Sequence, residues 1–276
     1  MQYTAEISRA NPTCFLFLID QSRSMLQPMA GDPNRTKAEA VADAVNTLLY
    51  TLSLRCVWGN SVFDRFHVGV LGYGAQVGPA LGGALAGREL APISELARNP
   101  LRVEQRPRPG PGGSSGSVRF PVWFEPTGDG KTPMAATFQR AATLVAGFLV
   151  DHPDCFPPIV INITDGKPTD ANPEADAARL RQLSSTDGDV LVFNLHLSES
   201  SGQRIEFPDN EEVLPDAYAR LLFRMSSPLP PPMWDAARES GLHVNAGTRG
   251  FVFNADIDSV IRSLDIGTRV GVANKK

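Results

Sequence analysis

The chain has 276 residues, of which 42% are hydrophobic and 20% charged, with a formal net charge of −4. That length buries a full core without staples, so 1–276 reads as a single domain. An acidic balance argues against nucleic acid, which demands a basic face, and no apolar run reaches the roughly 18 residues of a membrane span.

The N-terminus lacks a basic segment followed by a long apolar one, so the expected location is cytoplasmic. Cys14, Cys56 and Cys155 are odd in number and have no CxxC spacing. Buried, reduced thiols are therefore expected.

In chain order, residues 14–19 (CFLFLI) form an unbroken apolar run, the pattern of a central parallel strand. Over 36–55, Val41, Val45, Leu48, Leu49 and Leu52 keep helical spacing. Residues 67–71 read as a second strand ended by Gly72 and Gly74, with a short antiparallel edge partner over 77–81. Residues 99–117, rich in Pro, Gly and Arg, read as a mobile loop or hairpin tip. Within it Arg102, Arg106 and Arg108 read as a solvated charge run with no interleaved aromatic.

Met134, Phe138, Ala142, Val145 and Leu149 mark an amphipathic helix, and 158–164 a further central strand. A helix is expected over 174–183, with Asn172 as its cap and Pro173 at its first position. A strand over 190–197, a helix over 217–225 and a short strand over 251–253 follow. A helix over 257–264, capped by Asp256, closes the series. The segments at about 99–126 and 198–233, the second including the SSPLPPP run, read as irregular insertions, and the tail 267–276 as flexible. This alternation predicts an α/β fold. Its centre is a doubly wound, mostly parallel, Rossmann-like sheet flanked by helices, with one antiparallel edge strand.

In such a sheet, ligands bind where loops leave the carboxyl ends of the strands. Asp20, Ser22 and Ser24 leave the first central strand in DQSRS. Asp165 leaves another in ITDGKPTD, and Thr132 in GDGKTPM precedes a helix. Taken singly, these are turn residues, a helix N-cap and an Asp-Gly turn. Taken together they bring two carboxylates and three hydroxyls to one sheet edge. An all-oxygen set without His or Cys suits Mg²⁺, Mn²⁺ or Ca²⁺.

These residues match a known pattern. The sequence resembles the von Willebrand factor type A domains, whose metal-ion-dependent adhesion site is DxSxS, then a Thr, then an Asp. The resemblance implies that Ser22, Ser24 and Thr132 touch the metal directly. Asp20 and Asp165 then hold it through water, and a partner protein's carboxylate fills the remaining position. It further implies a metal-dependent protein-binding module, an adaptor or scaffold in a cytosolic bacterial complex of signalling or stress response. AAA+ ATPases, or protein kinase and phosphatase partners, are the implied company. Arg23 departs from the Gly often found before the second Ser. Its charge either attracts an acidic partner or points to solvent.

The alternative is a metal-dependent hydrolase or phosphatase using Asp20, whose place after an apolar strand resembles a haloacid dehalogenase nucleophile. That chemistry needs a second Asp two residues on, where Ser22 sits. Glu125 stands at the first Gly of a GxxxxGK[ST] loop, and no GxSxG elbow occurs. His67, His152, His196 and His243 have no ligand spacing. The expectation is a binding protein and not an enzyme.

Overall fold

The first central strand, β1 (Thr13–Asp20), is buried along its whole length in the computed structural model, which describes residues 3–109, 115–197 and 203–268. The other principal strands are β2 (Phe66–Tyr73), β3 (Val77–Pro79), β4 (Arg102–Pro109), β5 (Ser115–Val122), β6 (Ile159–Thr164), β7 (Leu191–Leu197), β8 (Ile205–Glu206) and β9 (Phe251–Ala255). The helices are α1 (Lys37–Arg55), α2 (Ile93–Arg98), α3 (Met134–Asp151), α4 (Glu174–Gln182), α5 (Ala217–Met225), α6 (Pro231–Glu239) and α7 (Ile257–Thr268).

An eight-stranded, mostly parallel sheet runs in the order β8-β9-β7-β6-β1-β2-β3, with the two-residue strand Ala91–Pro92 also on β2. Strand β1 pairs in parallel with β2 on one side and β6 on the other, so Phe17 lies opposite both Val70 and Ile161. The strand order reverses at β1, which makes its carboxyl end the switch point of the sheet. The antiparallel edge strand is β3, as expected. Two more antiparallel pairings were not expected, Ala91–Pro92 on β2 and β8 on β9.

Both faces of the sheet are covered, which is why β1 reads as continuously apolar. Phe15, Phe17 and Ile19 pack with Val41, Val45 and Leu49 of α1 and Val260 of α7. The alternate residues Cys14, Leu16 and Leu18 pack with Phe138 and Val145 of α3, Leu180 of α4 and Leu222 of α5. The period of two along a strand sends successive side chains to opposite layers. One polar chain crosses the buried sheet. The Tyr73 hydroxyl donates to Asn162 (2.7 Å), Asn162 to Asn194 (3.0 Å), and Asn194 to the Ser226 hydroxyl (2.9 Å).

Two expectations are refined. Residues 99–117 are not mostly loop but the hairpin of the two alternatives, because β4 and β5 pair antiparallel with Arg106 opposite Val118. Its arms are strands with one packed face, on which Phe120 and Val122 are buried. The charge run is not simply solvated either. The Arg106 guanidinium lies 3.5 Å from the centroid of the Phe120 ring and also pairs with Asp43 of α1, while Arg102 pairs with Glu104 at 2.6 Å. Residues 110–114, the first five of the GPGGSSG stretch, lie outside the described residues.

Within 198–233, α6 begins inside the proline run, since proline fits the first helical turn. Its Met233 and Ala237 join the core on the α1 side. Residues 198–202 and most of the tail, 269–276, lie outside the described residues, whereas 267 and 268 belong to α7. Among the described residues no helix is long and apolar enough to cross a membrane.

Candidate metal centre

Strand β1 delivers Asp20 to the switch point with 1% of its surface exposed. Its Oδ1 accepts from the Ser22 N–H (2.8 Å) and its Oδ2 from the Thr164 hydroxyl at the end of β6 (2.7 Å). Burial pushes its pKa up to about 6, against the lowering effect of the bonds from Ser22 and Thr164, and the charge of Asp165 adds to the rise. Residues 23–26 turn tightly, which sets the Ser22 and Ser24 hydroxyls 3.0 Å apart. The Ser24 hydroxyl donates on to Oδ1 of Asp165 (2.7 Å). One hydrogen-bonded chain therefore links four of the five expected residues.

The fifth, Thr132, arrives on a loop that docks against the first. The Asp129 N–H donates to the Gln21 carbonyl (2.6 Å), and the Arg23 N–H to that of Gly130 (3.3 Å). Gly130 has φ +81°, and a Cβ there would stand 2.4 Å from the Ala75 nitrogen, so only glycine permits this approach. Thr132 is buried and its backbone exchanges hydrogen bonds with Thr169. It is not the helix cap that its place before Pro133 suggests. The N-cap residue of α3 is Pro133, and the orphan N–H groups of Ala135 and Ala136 are met by the Asp170 carboxylate at 3.3 and 2.9 Å.

Gly166 reveals where the loops converge. A Cβ built on it would lie 3.3 Å from Oγ1 of Thr132, 3.8 Å from Oγ of Ser24 and 3.9 Å from Oδ2 of Asp20. Oxygens from two separate loops thus face one small space, which the missing side chain of Gly166 keeps open. The Tyr218 hydroxyl of α5 donates to the Gly166 carbonyl and ties that loop down.

No protein-family model matches the chain, and no curated protein does. Among solved structures, it is similar to a von Willebrand factor type A protein from Catenulispora acidiphila, at 15% identity over 78% of this chain and 37% of that one, with a TM-score of 0.42. It is also similar to the manganese-loaded TRAP protein of Plasmodium vivax (17% identity, 72% and 62% covered, TM-score 0.38). A third is the PilB minor pilin of Streptococcus sanguinis (9% identity, 92% and 60% covered, TM-score 0.45). The chain spans less than two thirds of the length of each.

The donor set fits a hard divalent cation. Among the described residues no three or more His, Cys, Asp or Glu gather around a point; the oxygens here come from two carboxylates and three hydroxyls. An octahedral ion with ligands at about 2.1 Å sets neighbouring oxygens about 3.0 Å apart. The Ser22 and Ser24 hydroxyls have that spacing, which also serves the hydrogen bond between them. Around the site Arg23, Lys131 and Lys167 are exposed. Arg23 stands 3.8 Å from Asp129, which is also exposed.

Sequence reasoning missed two members of this centre. Thr164 reads as the last residue of a strand, yet its hydroxyl orients Asp20. Lys37, the first residue of α1, is 2% exposed and places Nζ 2.5 Å from Oδ2 of Asp165. A signal for it existed, because a cation at a helix N-terminus opposes the helix dipole and needs a compensating partner.

Proposed function

We propose that this chain is a metal-dependent protein-binding module of the von Willebrand factor type A kind, serving as an adaptor or scaffold in a cytosolic bacterial complex. The observation that carries the reading is the convergence of Thr132, Ser24 and Asp20 oxygens around Gly166, joined to Ser22 and Asp165 by hydrogen bonds. Ser22, Ser24 and Thr132 would hold Mg²⁺ or Mn²⁺ directly, with Asp20 and Asp165 behind them. A bound ion would supply a Lewis-acidic point for an acidic side chain of a partner protein. Exposed Arg23, Lys131 and Lys167 give an incoming acidic surface a favourable field.

The hydrolase reading is less well supported. Asp20 has both carboxylate oxygens engaged, by Ser22 and Thr164, and is buried. The position two residues on, where that chemistry needs a second Asp as acid and base, holds Ser22. The test is calorimetric titration of Mn²⁺ and Mg²⁺ into the wild type, Asp20→Ala and Asp165→Ala, followed by partner capture with Mg²⁺ or with chelator. Loss of metal binding in both variants and of capture in chelator supports the module. Equal metal affinity in all three proteins removes it.

A further inference from the structure

Lys37 carries two electrostatic costs at once. Lysine is among the residue types least often fully buried, yet this one is 2% exposed. It also stands at the first position of α1, where a cation opposes the helix dipole. Placing the helix does not require it. Thr36 and Glu39 form a complete capping box, and the Lys37 N–H donates to the Gln27 carbonyl at 2.9 Å. What the side chain does is reach Oδ2 of Asp165 at 2.5 Å, on a carboxylate whose other oxygen holds the Ser24 hydroxyl.

We propose that Lys37 is a built-in counter-charge that weakens metal binding by the protein alone and couples the metal to an acidic ligand. This inference rests on the metal-centre reading above. Asp20, Asp165 and Lys37 together carry a net charge of −1, where two carboxylates alone would carry −2. A divalent ion in that shell is left with one uncompensated positive charge. An incoming carboxylate relieves it, so metal and acidic ligand bind better together than separately, and each raises the affinity of the other by the same factor. The two partial occupants, metal without ligand and ligand without metal, are both disfavoured. The ammonium thereby makes the site a detector of the pair.

A purely structural Lys37 predicts the opposite sign. If the ion pair only steadied Asp165, removing it would loosen that carboxylate and lower metal affinity. Mn²⁺ titrations of the wild type, Lys37→Met and Lys37→Gln, in sodium chloride and in sodium acetate at matched ionic strength, separate the two. The expected result is Mn²⁺ affinity higher by about tenfold or more in both variants in chloride, since a like charge has left the ion's vicinity. Acetate should raise the wild-type affinity by several-fold and that of the variants by less. Lys37→Arg, which keeps the charge, should behave as wild type, and a melting scan verifies that each variant is folded. Unchanged or weaker Mn²⁺ binding in every folded neutral variant overturns the role of Lys37. The metal site survives that outcome if Asp20→Ala still abolishes binding. No Mn²⁺ binding by any of the proteins overturns both readings.

Discussion

The Thr164 hydroxyl donates to Oδ2 of Asp20 at 2.7 Å, bridging the ends of adjacent parallel strands. The same oxygen accepts from the Gly166 N–H at 3.2 Å, so one side chain ties the carboxylate of the first loop to the backbone of the last. Hydrogen bonds to a carboxylate favour its charged form, and this one counteracts part of the burial that raises the Asp20 pKa.

Thr164→Val keeps the shape and removes the donor. Asp20 should then hold its proton more tightly, and Mn²⁺ must displace that proton to bind. The expected outcome is a modest loss of Mn²⁺ affinity at neutral pH that grows towards about tenfold near pH 5, with the binding curve shifted to higher pH. Titration calorimetry at several pH values reads both effects.

The pH dependence has a definite sign. Asp20 has a folded pKa of about 6, above its ordinary 3.8. Its contribution to the stability of the metal-free protein is therefore fully present below about 4 and is lost as the pH rises through 6. Asp20→Asn mimics the protonated form and should make the metal-free protein more stable at pH 7, by on the order of 2–3 kcal/mol. It should also abolish stabilisation by Mn²⁺. Wild-type metal binding should strengthen from pH 5 to 7. Melting curves of both proteins, with and without Mn²⁺, check all three statements.

What was legible in the sequence were features with a local signature. The apolar runs that became β1 and β6 are buried on both faces, so hydrophobicity alone marks them. Asp20, Ser22, Ser24, Thr132 and Asp165 follow those runs or precede a helix, and strand order brings them to one edge. Features defined by contact were not legible. Lys37 reaches Asp165 across the fold, and Asp170 caps a helix that begins 36 residues earlier than itself. The arms of the β4–β5 hairpin were hidden because Arg102, Glu104 and Arg106 share the packed face with Phe120 and Val122, while Val103 is exposed on the other, so no apolar alternation marks β4. Helix α6 was hidden because a proline run reads as irregular, although proline suits a first turn.

Gly166→Ala places a methyl group between Thr132, Ser24 and Asp20. The nearest of these oxygens, at 3.3 Å, belongs to a side chain that can yield by a few tenths of an ångström. The fold should tolerate the change within about 1 kcal/mol, while Mn²⁺ affinity falls at least about tenfold, because the methyl fills the space an ion needs. Calorimetry and a melting scan on the same sample separate the two effects. Unaltered metal binding would locate the ion elsewhere.

Asn162 links Tyr73 to Asn194 in the centre of the sheet. Asn162→Leu leaves a buried donor and a buried acceptor unmet, each costing about 1–3 kcal/mol. A loss of about 2–5 kcal/mol is expected in urea unfolding. Adding Tyr73→Phe, which removes the orphaned hydroxyl, should recover part of it, and the double-mutant cycle measures how much.

On the metal-site proposal Thr132 serves as ligand while Asp170 caps α3, and a pair of substitutions tests that division. The Thr132 backbone makes its bonds to Thr169 whatever the side chain, and its hydroxyl caps nothing at Pro133. Thr132→Ala should therefore leave the melting temperature almost unchanged while removing one direct oxygen from the ion. Mn²⁺ affinity should fall, and capture of the acidic partner with it. Asp170→Ala removes the acceptor for the Ala135 and Ala136 N–H groups and should cost about 1 kcal/mol of stability, as lost caps do. Its effect on Mn²⁺ should be smaller, because Asp170 bonds to the helix backbone and not to the ligand hydroxyls. Melting curves and Mn²⁺ titrations of both variants form a crossed test. If Thr132→Ala melts early and binds metal normally, Thr132 is structural and the ion's oxygens must come from the other four residues.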